Sequence, residues 1–405
     1  MLVFVEMTWR WMTHTQGNAS LIDLISGALP EHGVRVLAND DHLGELKRLL
    51  SIGNSKRSSE IDFRPIDVPM HLQGKTHIVS YKRLWREYRT LLQAISDIDE
   101  KDPIILVLLS ATSTAVFAAS MLARMAPSNF FVHAVLHGNL NEIKSWRSRN
   151  PVFRCLDMAS VIKADHPKNF RFVVLEPSIW KSLERFNPAA AARTDVIPHL
   201  VSSYEVPDER DTPFGFPLRF GLVGQATGSK GIDSFLKASD YITAKYPGLA
   251  EFYLVGMVRP GDNPARFASL AHSVNGDSLS RSEFVERIQG LHYIVLPLDD
   301  DYYTFSASGA VIDAITWEKP VIGTDIPIIS DLFRKHGDIG HVTEKPDGVI
   351  SIIEDIVTKP DPFRYSNQHE NMKLARSERL PRVSEGRYRA LISSHAPDMI
   401  PSVGA

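Results

Sequence analysis

The 405-residue sequence has little that could crosslink the chain or bind a metal. It contains one cysteine, Cys155, so it cannot form an intramolecular disulfide. A lone thiol fits a reducing compartment, and we expect it to be a small packed side chain rather than a nucleophile. Cysteines and histidines do not recur at metal-ligand spacing, which predicts that there is no structural zinc site. We expect no cofactor of any kind.

Long apolar runs and a strong net charge are also missing. No run of about 18 apolar residues occurs, so no membrane-spanning helix is predicted. The N-terminus lacks the pattern of a signal peptide. A net charge of -3 gives no overall electrostatic basis for nucleic-acid binding. With the lone cysteine, these features predict a cytoplasmic protein that does not bind nucleic acid.

Apolar runs alternate with amphipathic segments in the first half of the chain. The runs predict strands at residues 2–7, 34–40, 104–110, 129–138, 160–165 and 171–178. A first helix is predicted to begin at a cap on Asn18 or Ser20. A second covers residues 80–99, with one face formed by Leu84, Tyr88, Leu91, Leu92 and Ile95.

The same alternation restarts after a proline-rich stretch, residues 194–217, which we interpret as a linker. Strands are predicted at residues 218–224, 249–258, 292–297 and 319–325, and helices at 231–247, 280–290, 309–317, 348–357, 368–380 and 384–394. This pattern favours two doubly wound α/β domains, Rossmann-like, that face a cleft and bind ligands at the carboxyl ends of their strands. The predicted boundaries are 1–205 for the first domain, 206–380 for the second, and 381–405 for a returning helix and tail.

A loop in the second half has the composition of a phosphate site. Ser306, Ser308 and Gly309 stand between a strand and a helix, where free backbone amides can bind an anion. Asp313, about one turn further on, would accept hydrogen bonds from hydroxyls beside that phosphate, such as those of a ribose. The simpler alternative is that the two serines cap the helix and Asp313 is solvated.

A second glycine-rich loop lies in the same half. Gly224 is predicted to end a strand, Gly228 to make the turn flexible, and Lys230 and Gly231 to begin the next helix. The spacing is not that of a P-loop or a dinucleotide fingerprint. A lysine opposes the dipole at a helix start unless it meets an anion. A solvated lysine is the alternative, but two such loops together favour a nucleotide diphosphate.

Residues 221–327 resemble the donor domain of retaining glycosyltransferases with the B-type fold (GT-B). The family is large and includes sucrose synthases and bacterial mannosyl- and glucosyltransferases. The resemblance implies that Lys230 contacts the donor diphosphate and that Asp313 holds the ribose hydroxyls. Three positions depart from the family pattern: Gln225 replaces its arginine, Phe305 the first of its two glutamates, and Glu318 the glycine before Lys-Pro. Asp299, Asp300 or Asp301 from the preceding loop is an alternative source of the missing carboxylate.

The first half resembles the family in outline only. His137 matches a histidine that contacts the transferred sugar, although it could simply end a strand. Gly17 and Asn18 occupy the place of the acceptor-side glycine loop. The implied donor-binding residues are Gly224, Gln225, Lys230, Ser306, Ser308, Gly309 and Asp313, and the implied catalytic residues are His137 and Lys230.

The resemblance implies transfer of a sugar, with retention of configuration and without a metal, from a nucleotide-diphosphate sugar to a glycan or lipid-linked acceptor. A non-catalytic nucleotide- or sugar-binding relative is the main alternative, because Gln225 and Phe305 remove polar groups. An epimerase or phosphorylase would need motifs that we do not find. Basic and aromatic residues at 81–89 and 144–149 suggest peripheral association with the inner face of a membrane, against the alternative of an ordinary surface helix.

Overall fold

The computed structural model describes residues 1–11, 13–52, 60–207, 212–258, 262–271 and 279–400. The chain divides into two units: unit 1 comprises Met1–Tyr204 and the chain from Arg379 onward, and unit 2 comprises Glu205–Glu378. Residues 208–211 of the predicted linker and the tail after residue 400 lie outside the described residues.

Unit 1 contains a parallel sheet of seven strands in the order β3-β2-β1-β4-β5-β6-β7. The strands are β1 Leu2–Val5, β2 Val34–Ala38, β3 Asp62–Pro65, β4 Ile104–Leu108, β5 Phe130–Leu136, β6 Phe170–Val174 and β7 Thr194–Val196. The central strands are apolar without interruption because helices cover both faces of a parallel sheet.

The helices of unit 1 include one from the C-terminal end of the chain. They are α1 Thr15–Ala28, α2 Asp40–Ile52, α3 Tyr81–Ile95, α4 Ser113–Met125, α5 Glu142–Ser145, α6 Met158–Lys163, α7 Pro177–Phe186, α8 Pro188–Ala191 and α16 Pro381–His395. Helix α16 packs on α1, where the Arg389 guanidinium donates to the Ala28 carbonyl at 3.0 Å and to the Glu31 carboxylate at 2.8 Å. The predicted return of the C-terminal helix to the N-terminal domain is therefore confirmed.

Unit 2 contains a parallel five-stranded sheet in the order β12-β11-β10-β8-β9. Its elements are β8 Leu218–Gln225, α9 Ile232–Lys245, β9 Ala250–Met257, α10 Arg281–Gln289, β10 Tyr293–Leu296, α11 Asp300–Tyr303, α12 Gly309–Thr316, β11 Val321–Thr324, α13 Pro327–His336, β12 Gly340–Thr343, α14 Val349–Thr358 and α15 Pro362–Ser377. Stacked rings form part of its core, with the centroid of Phe220 lying 5.5 Å from Phe252 and 5.8 Å from Tyr293.

The prediction of two doubly wound α/β units is confirmed. In each sheet the strand order reverses at one place, between β1 and β4 in unit 1 and between β8 and β10 in unit 2. Loops diverge there at the carboxyl ends of the strands, which is where such sheets bind ligands. The two predicted phosphate loops follow β8 and β10, so both lie at the reversal point of unit 2.

Two local predictions for unit 1 are wrong, and one helix was not predicted. Helix α1 begins at Thr15, so Asn18 and Ser20 are buried inside it rather than capping it. Residues 40–52 form α2, whose leucines share one face although charged residues interrupt the sequence. Residues 160–165 belong largely to α6, because the Asp157 side chain accepts the Ser160 amide at 2.9 Å and begins a helix there.

Helix α13 and strand β12 of unit 2 were not predicted, and the prediction that Cys155 is packed is wrong. Helix α13 has proline at its first position and a glycine at its end, which is a recognisable signal, and β12 follows it. Cys155 is exposed rather than packed.

The buried face of α3 differs from the predicted one. It is formed by Arg83, Glu87, Leu91 and Ala94, while Leu92 is exposed. The Arg83 guanidinium donates to the Glu87 carboxylate at 2.9 Å, and the Thr112 hydroxyl donates to the same oxygen at 3.0 Å. Two opposite charges that pair with each other can be buried, which apolar periodicity alone does not predict.

We expect Arg83→Met to lower the free energy of unfolding by about 3–5 kcal/mol, because it leaves the Glu87 carboxylate buried without its cation. Arg89→Met on the exposed side of the same helix is the control and should change it by no more than about 0.5 kcal/mol. Urea unfolding followed by circular dichroism measures both. Equal effects would contradict the importance assigned to the buried pair.

Candidate nucleotide-sugar site

The loops that follow β8 and β10 are joined closely. Gly231 has a left-handed φ of 70°, and a Cβ atom there would lie 2.0 Å from the Pro297 carbonyl oxygen. The Asp299 amide also donates to the Ser229 carbonyl at 3.0 Å. Glycine is therefore required at 231, and the close approach fixes one loop against the other.

The Lys230 side chain folds back over the end of β8. Its ammonium donates to the Val223 carbonyl at 3.2 Å. A Cβ atom on Gly224, where φ is 92°, would lie 2.3 Å from Lys230 Nζ, so the absence of a side chain makes room for the ammonium. Burial lowers the pKa of Lys230, and the Asp313 carboxylate acts in the opposite direction.

Asp313 lies inside α12 and interacts electrostatically with two cations. Burial raises its pKa to about 6, whereas Arg281 and Lys230 act to lower it and Glu205 to raise it. Arg281 is held by Glu205, with Arg281 Nε donating to the carboxylate at 2.6 Å. Sequence reasoning missed Arg281 and Glu205, because only folding brings residues 205 and 281 to the vicinity of Asp313.

The start of α12 has one exposed residue, Gly309, between the buried Ser308 and Ala310. Ser308 caps the helix by accepting the Val311 amide at 3.4 Å, as the simpler alternative proposed. Ser306 does not cap it, because its hydroxyl donates to the Ala307 carbonyl at 3.3 Å. Gly309 is exposed, and a Cβ atom there would meet nothing within 4 Å. The first amides of a helix have no intrahelical acceptor, so an anion has access to them at Gly309.

Two of the positions that depart from the family pattern, Gln225 and Phe305, differ in their surroundings. Gln225 is exposed at the end of β8, where its side chain provides no cation. Phe305 is only 2% exposed and belongs to the packed interior. Of the nearby acidic residues, Asp299 accepts the Asp301 amide at 3.0 Å and caps α11. The position of Phe305 therefore offers a ligand no carboxylate, and Asp299 is used as a helix cap.

In unit 1, three histidines meet at the carboxyl ends of the strands. The ring centroid of His137 lies 5.2 Å from that of His14 and 6.5 Å from that of His199. Burial holds the pKa of His137 well below its usual range, and the two neighbouring histidines add to this effect. His137 Nε2 is buried without a hydrogen-bond partner among the described residues. A neutral imidazole with an unsatisfied nitrogen can bind a ligand hydroxyl.

The buried carboxylate of Glu6 accepts hydrogen bonds from residues that precede and form the start of α1. Glu6 follows β1 and accepts the Thr8 amide at 2.7 Å and the Asn18 amide group at 3.1 Å. Burial raises the pKa of Glu6 to about 7. Gly17 and Asn18 were predicted to form a loop before the helix, but both lie inside α1. Asn18 is fully buried, while a Cβ atom on Gly17 would meet nothing within 4 Å.

In the described ranges, no group of three or more histidine, cysteine, aspartate or glutamate side chains is arranged to hold a metal ion. Among the same residues, every helix is too short or too polar to cross a bilayer. Metal independence and location in the cell stay predictions.

No protein-family model matches the sequence, and no curated protein matches it. Solved structures do match. The catalytic domain of starch synthase IV from Arabidopsis thaliana, bound to ADP and acarbose, gives a TM-score of 0.66 at 10% identity over 98% of this chain and 99% of that one. HepE from Anabaena in complex with UDP-glucose gives 0.63 at 13% identity over 97% and 99%. A glycosyltransferase from Rickettsia africae gives 0.64 at 9% identity over 97% and 98%.

These likenesses extend over nearly the whole length of both chains in each pair. The protein therefore has the GT-B fold of these glycosyltransferases, as the resemblance of residues 221–327 predicted. TM-scores of 0.63–0.66 show a common fold. At identities of 9–13% they show the fold alone, so the activity has to be argued from the site itself.

We expect Gly231→Ala to destabilise unit 2 by about 1–3 kcal/mol, because alanine at this φ is strained and its Cβ atom would overlap the Pro297 carbonyl. Gly228→Ala is the matched control, since a Cβ atom there meets nothing within 4 Å. It should change stability by no more than about 0.5 kcal/mol. Thermal unfolding of both variants tests this, and equal melting temperatures would show that the two loops are not tightly joined.

Proposed function

We propose that the protein is a glycosyltransferase that takes a sugar from a nucleotide-diphosphate donor. The observation that carries the proposal is the position of Lys230 at the end of β8, near enough to Asp313 for their charges to interact. The loop that holds Lys230 is joined to the loop leading to the open helix start at Gly309. A cation, free amides and a carboxylate are what a diphosphate linked to a ribose requires.

Each group has a separate task in this proposal. The Lys230 ammonium and the backbone amide of the exposed Gly309 stabilise the diphosphate as its bond to the sugar breaks. The ionised Asp313 accepts hydrogen bonds from the ribose hydroxyls, and a neighbouring cation favours that ionised state. Gln225 contributes a polar side chain without charge. The charge of the leaving group is then balanced without a metal ion.

We assign His137 to the sugar. Its depressed pKa keeps the imidazole neutral near pH 7, so it would orient a sugar hydroxyl and would not act as a strong base. His14 and His199 restrict the ring by contact, and the unsatisfied Nε2 is the atom available to the hydroxyl. Gly17 and Asn18 stay assigned to the acceptor side, with Asn18 acting through the Glu6 network rather than by direct contact.

The finer parts of the proposal concern stereochemistry and acceptor. We infer retention of configuration, which rests on the resemblance of residues 221–327 to retaining enzymes. The acceptor is a glycan or a lipid-linked molecule, and the place of action is the cytoplasm at the inner face of a membrane. The basic and aromatic side chains near Tyr81 support the lipid-linked choice.

A non-catalytic binding protein is the second candidate, favoured by one observation. Phe305 stands where the family has a carboxylate near the donor sugar, and it is packed into the interior. A protein that binds the nucleotide but does not transfer the sugar would tolerate this change. Product formation separates the two candidates: binding of donor without hydrolysis or transfer, even with acceptors supplied, would favour the binding protein.

We expect Lys230→Met to reduce sugar transfer by on the order of 100–1000-fold, the usual effect of removing one group that stabilises a leaving oxyanion. Lys237→Met is the control, because Lys237 pairs with Asp347 on the exposed side of α9. Release of nucleoside diphosphate from UDP-, GDP- and ADP-sugars measures both. Full activity of the Lys230 variant would disprove its assigned role.

Donor affinity should depend on pH through Asp313. With a pKa of about 6, this carboxyl group is protonated below that pH and accepts ribose hydroxyls less well. Affinity for an intact nucleotide sugar should therefore rise as the pH increases from about 5 to 7 and then level off. The intact donor is used because the terminal phosphate of a free diphosphate itself titrates near pH 6.

Asp313→Asn is the matched variant for this experiment. Its affinity should be lower at pH 7 and should not change across the same range, because asparagine does not titrate. Isothermal titration calorimetry measures both proteins. Parallel pH profiles for the two would show that another group causes the dependence.

A further inference from the structure

Unit 1 carries a surface on which aromatic and basic side chains alternate. Tyr81 and Trp85 on α3 are 51% and 61% exposed, which is unusual for residues of this size, and Val152 is 56% exposed. Trp85 stacks on Tyr88 with centroids 5.9 Å apart, and Tyr81 contacts Phe153 edge to face at 5.1 Å. The last contact joins α3 to the segment 144–154, so the two sequence regions form one continuous patch.

The charge of this patch is opposite to that of the whole chain. The segment 144–154 contains four basic residues and no acidic one, although the net charge of the protein is -3. On α3, Arg83 is neutralised by Glu87 in the interior, whereas Lys82 and Arg89 are exposed. Residues 145–150 line a depression of about 590 Å³. Arg147 in this segment pairs with the buried Asp157 at 2.9 Å, whereas Arg149 is exposed. The positive charge is therefore concentrated at the surface around the exposed rings.

We propose that this basic aromatic surface, formed by Tyr81, Lys82, Trp85, Arg89, Arg149 and Val152, docks on an anionic lipid bilayer. Exposed tryptophan, tyrosine and valine can enter the boundary between headgroups and acyl chains, and the cations around them meet the headgroup phosphates. The segment 144–154 begins seven residues after His137 in the chain, so a membrane-borne acceptor would be held close to the histidine cluster. This last step rests on the proposed function, but the docking itself does not.

Cosedimentation with vesicles tests the docking. The intact protein should bind phosphatidylcholine vesicles that contain phosphatidylglycerol and should not bind vesicles of phosphatidylcholine alone. Lys82→Gln/Arg89→Gln should weaken binding on the order of thirtyfold, since each cation near an anionic surface contributes about 1 kcal/mol. Arg382→Gln/Arg387→Gln removes the same charge from the exposed side of α16 and should have no effect. Raising the salt concentration should release the wild-type protein.

A second pair of variants examines the aromatic part. Trp85→Ala should weaken vesicle binding, whereas Phe363→Ala, which removes a 77% exposed ring from unit 2, should not. Melting temperatures of all variants should equal that of the wild type. Equal binding to both vesicle types, equal loss in the Lys82/Arg89 and Arg382/Arg387 double variants, or binding of duplex DNA instead of vesicles would overturn the proposal. Donor binding by calorimetry should be unchanged in Lys82→Gln/Arg89→Gln, so failure of docking and failure of sugar transfer are recognised separately.

Discussion

The candidate donor site depends on the way one lysine is held at the end of a strand. Lys230 can fold over β8 only because Gly224 has no side chain, and its loop can lie against Pro297 only because Gly231 adopts a left-handed conformation. The loop after β10 is thereby fixed beside it and leads to the open start of α12. Cation, amides and carboxylate are positioned by backbone geometry before any ligand arrives, which reduces the cost of ordering them on binding.

The departures from the family pattern at Gln225 and Phe305 differ in their effect because one residue is exposed and the other is buried. Gln225 is exposed, so the lost arginine leaves no hole in the packing, and Arg281 supplies a second positive charge that acts on Asp313. Phe305 is a different case, because a buried ring is part of the core and presents no polar atom. Under the proposed function, Lys230 and the start of α12 serve the diphosphate end of the donor, whereas Phe305 offers no polar atom to its sugar end, so sugar turnover is the more demanding property to demonstrate.

Apolar periodicity predicted both sheets except for the edge strands β3, β7 and β12, and it predicted the strand–loop–helix order at Ser306 and Lys230. It failed where long-range pairing decides the structure. The prediction of the buried face of α3 was wrong because an internal ion pair between Arg83 and Glu87 occupies positions where leucines were expected. Gly17 and Asn18 were placed in a loop because the burial of Asn18 inside α1 depends on contacts with Glu6, after β1, and with His42, in α2. Likewise, His14 and His199 join His137 only after folding, and nothing in their own sequence neighbourhoods indicates it.

The most direct test of the account is an NMR titration of protein labelled with 15N-glycine, using UDP, GDP and ADP. Gly309 marks the proposed phosphate-binding amides, and its resonance is assigned by its loss in Gly309→Ala. We predict that the nucleotide that binds shifts the Gly309 resonance and that Lys230→Met weakens the same titration. A nucleotide that binds tightly while the Gly309 resonance stays in place would contradict the central claim that the diphosphate lies between Lys230 and the start of α12.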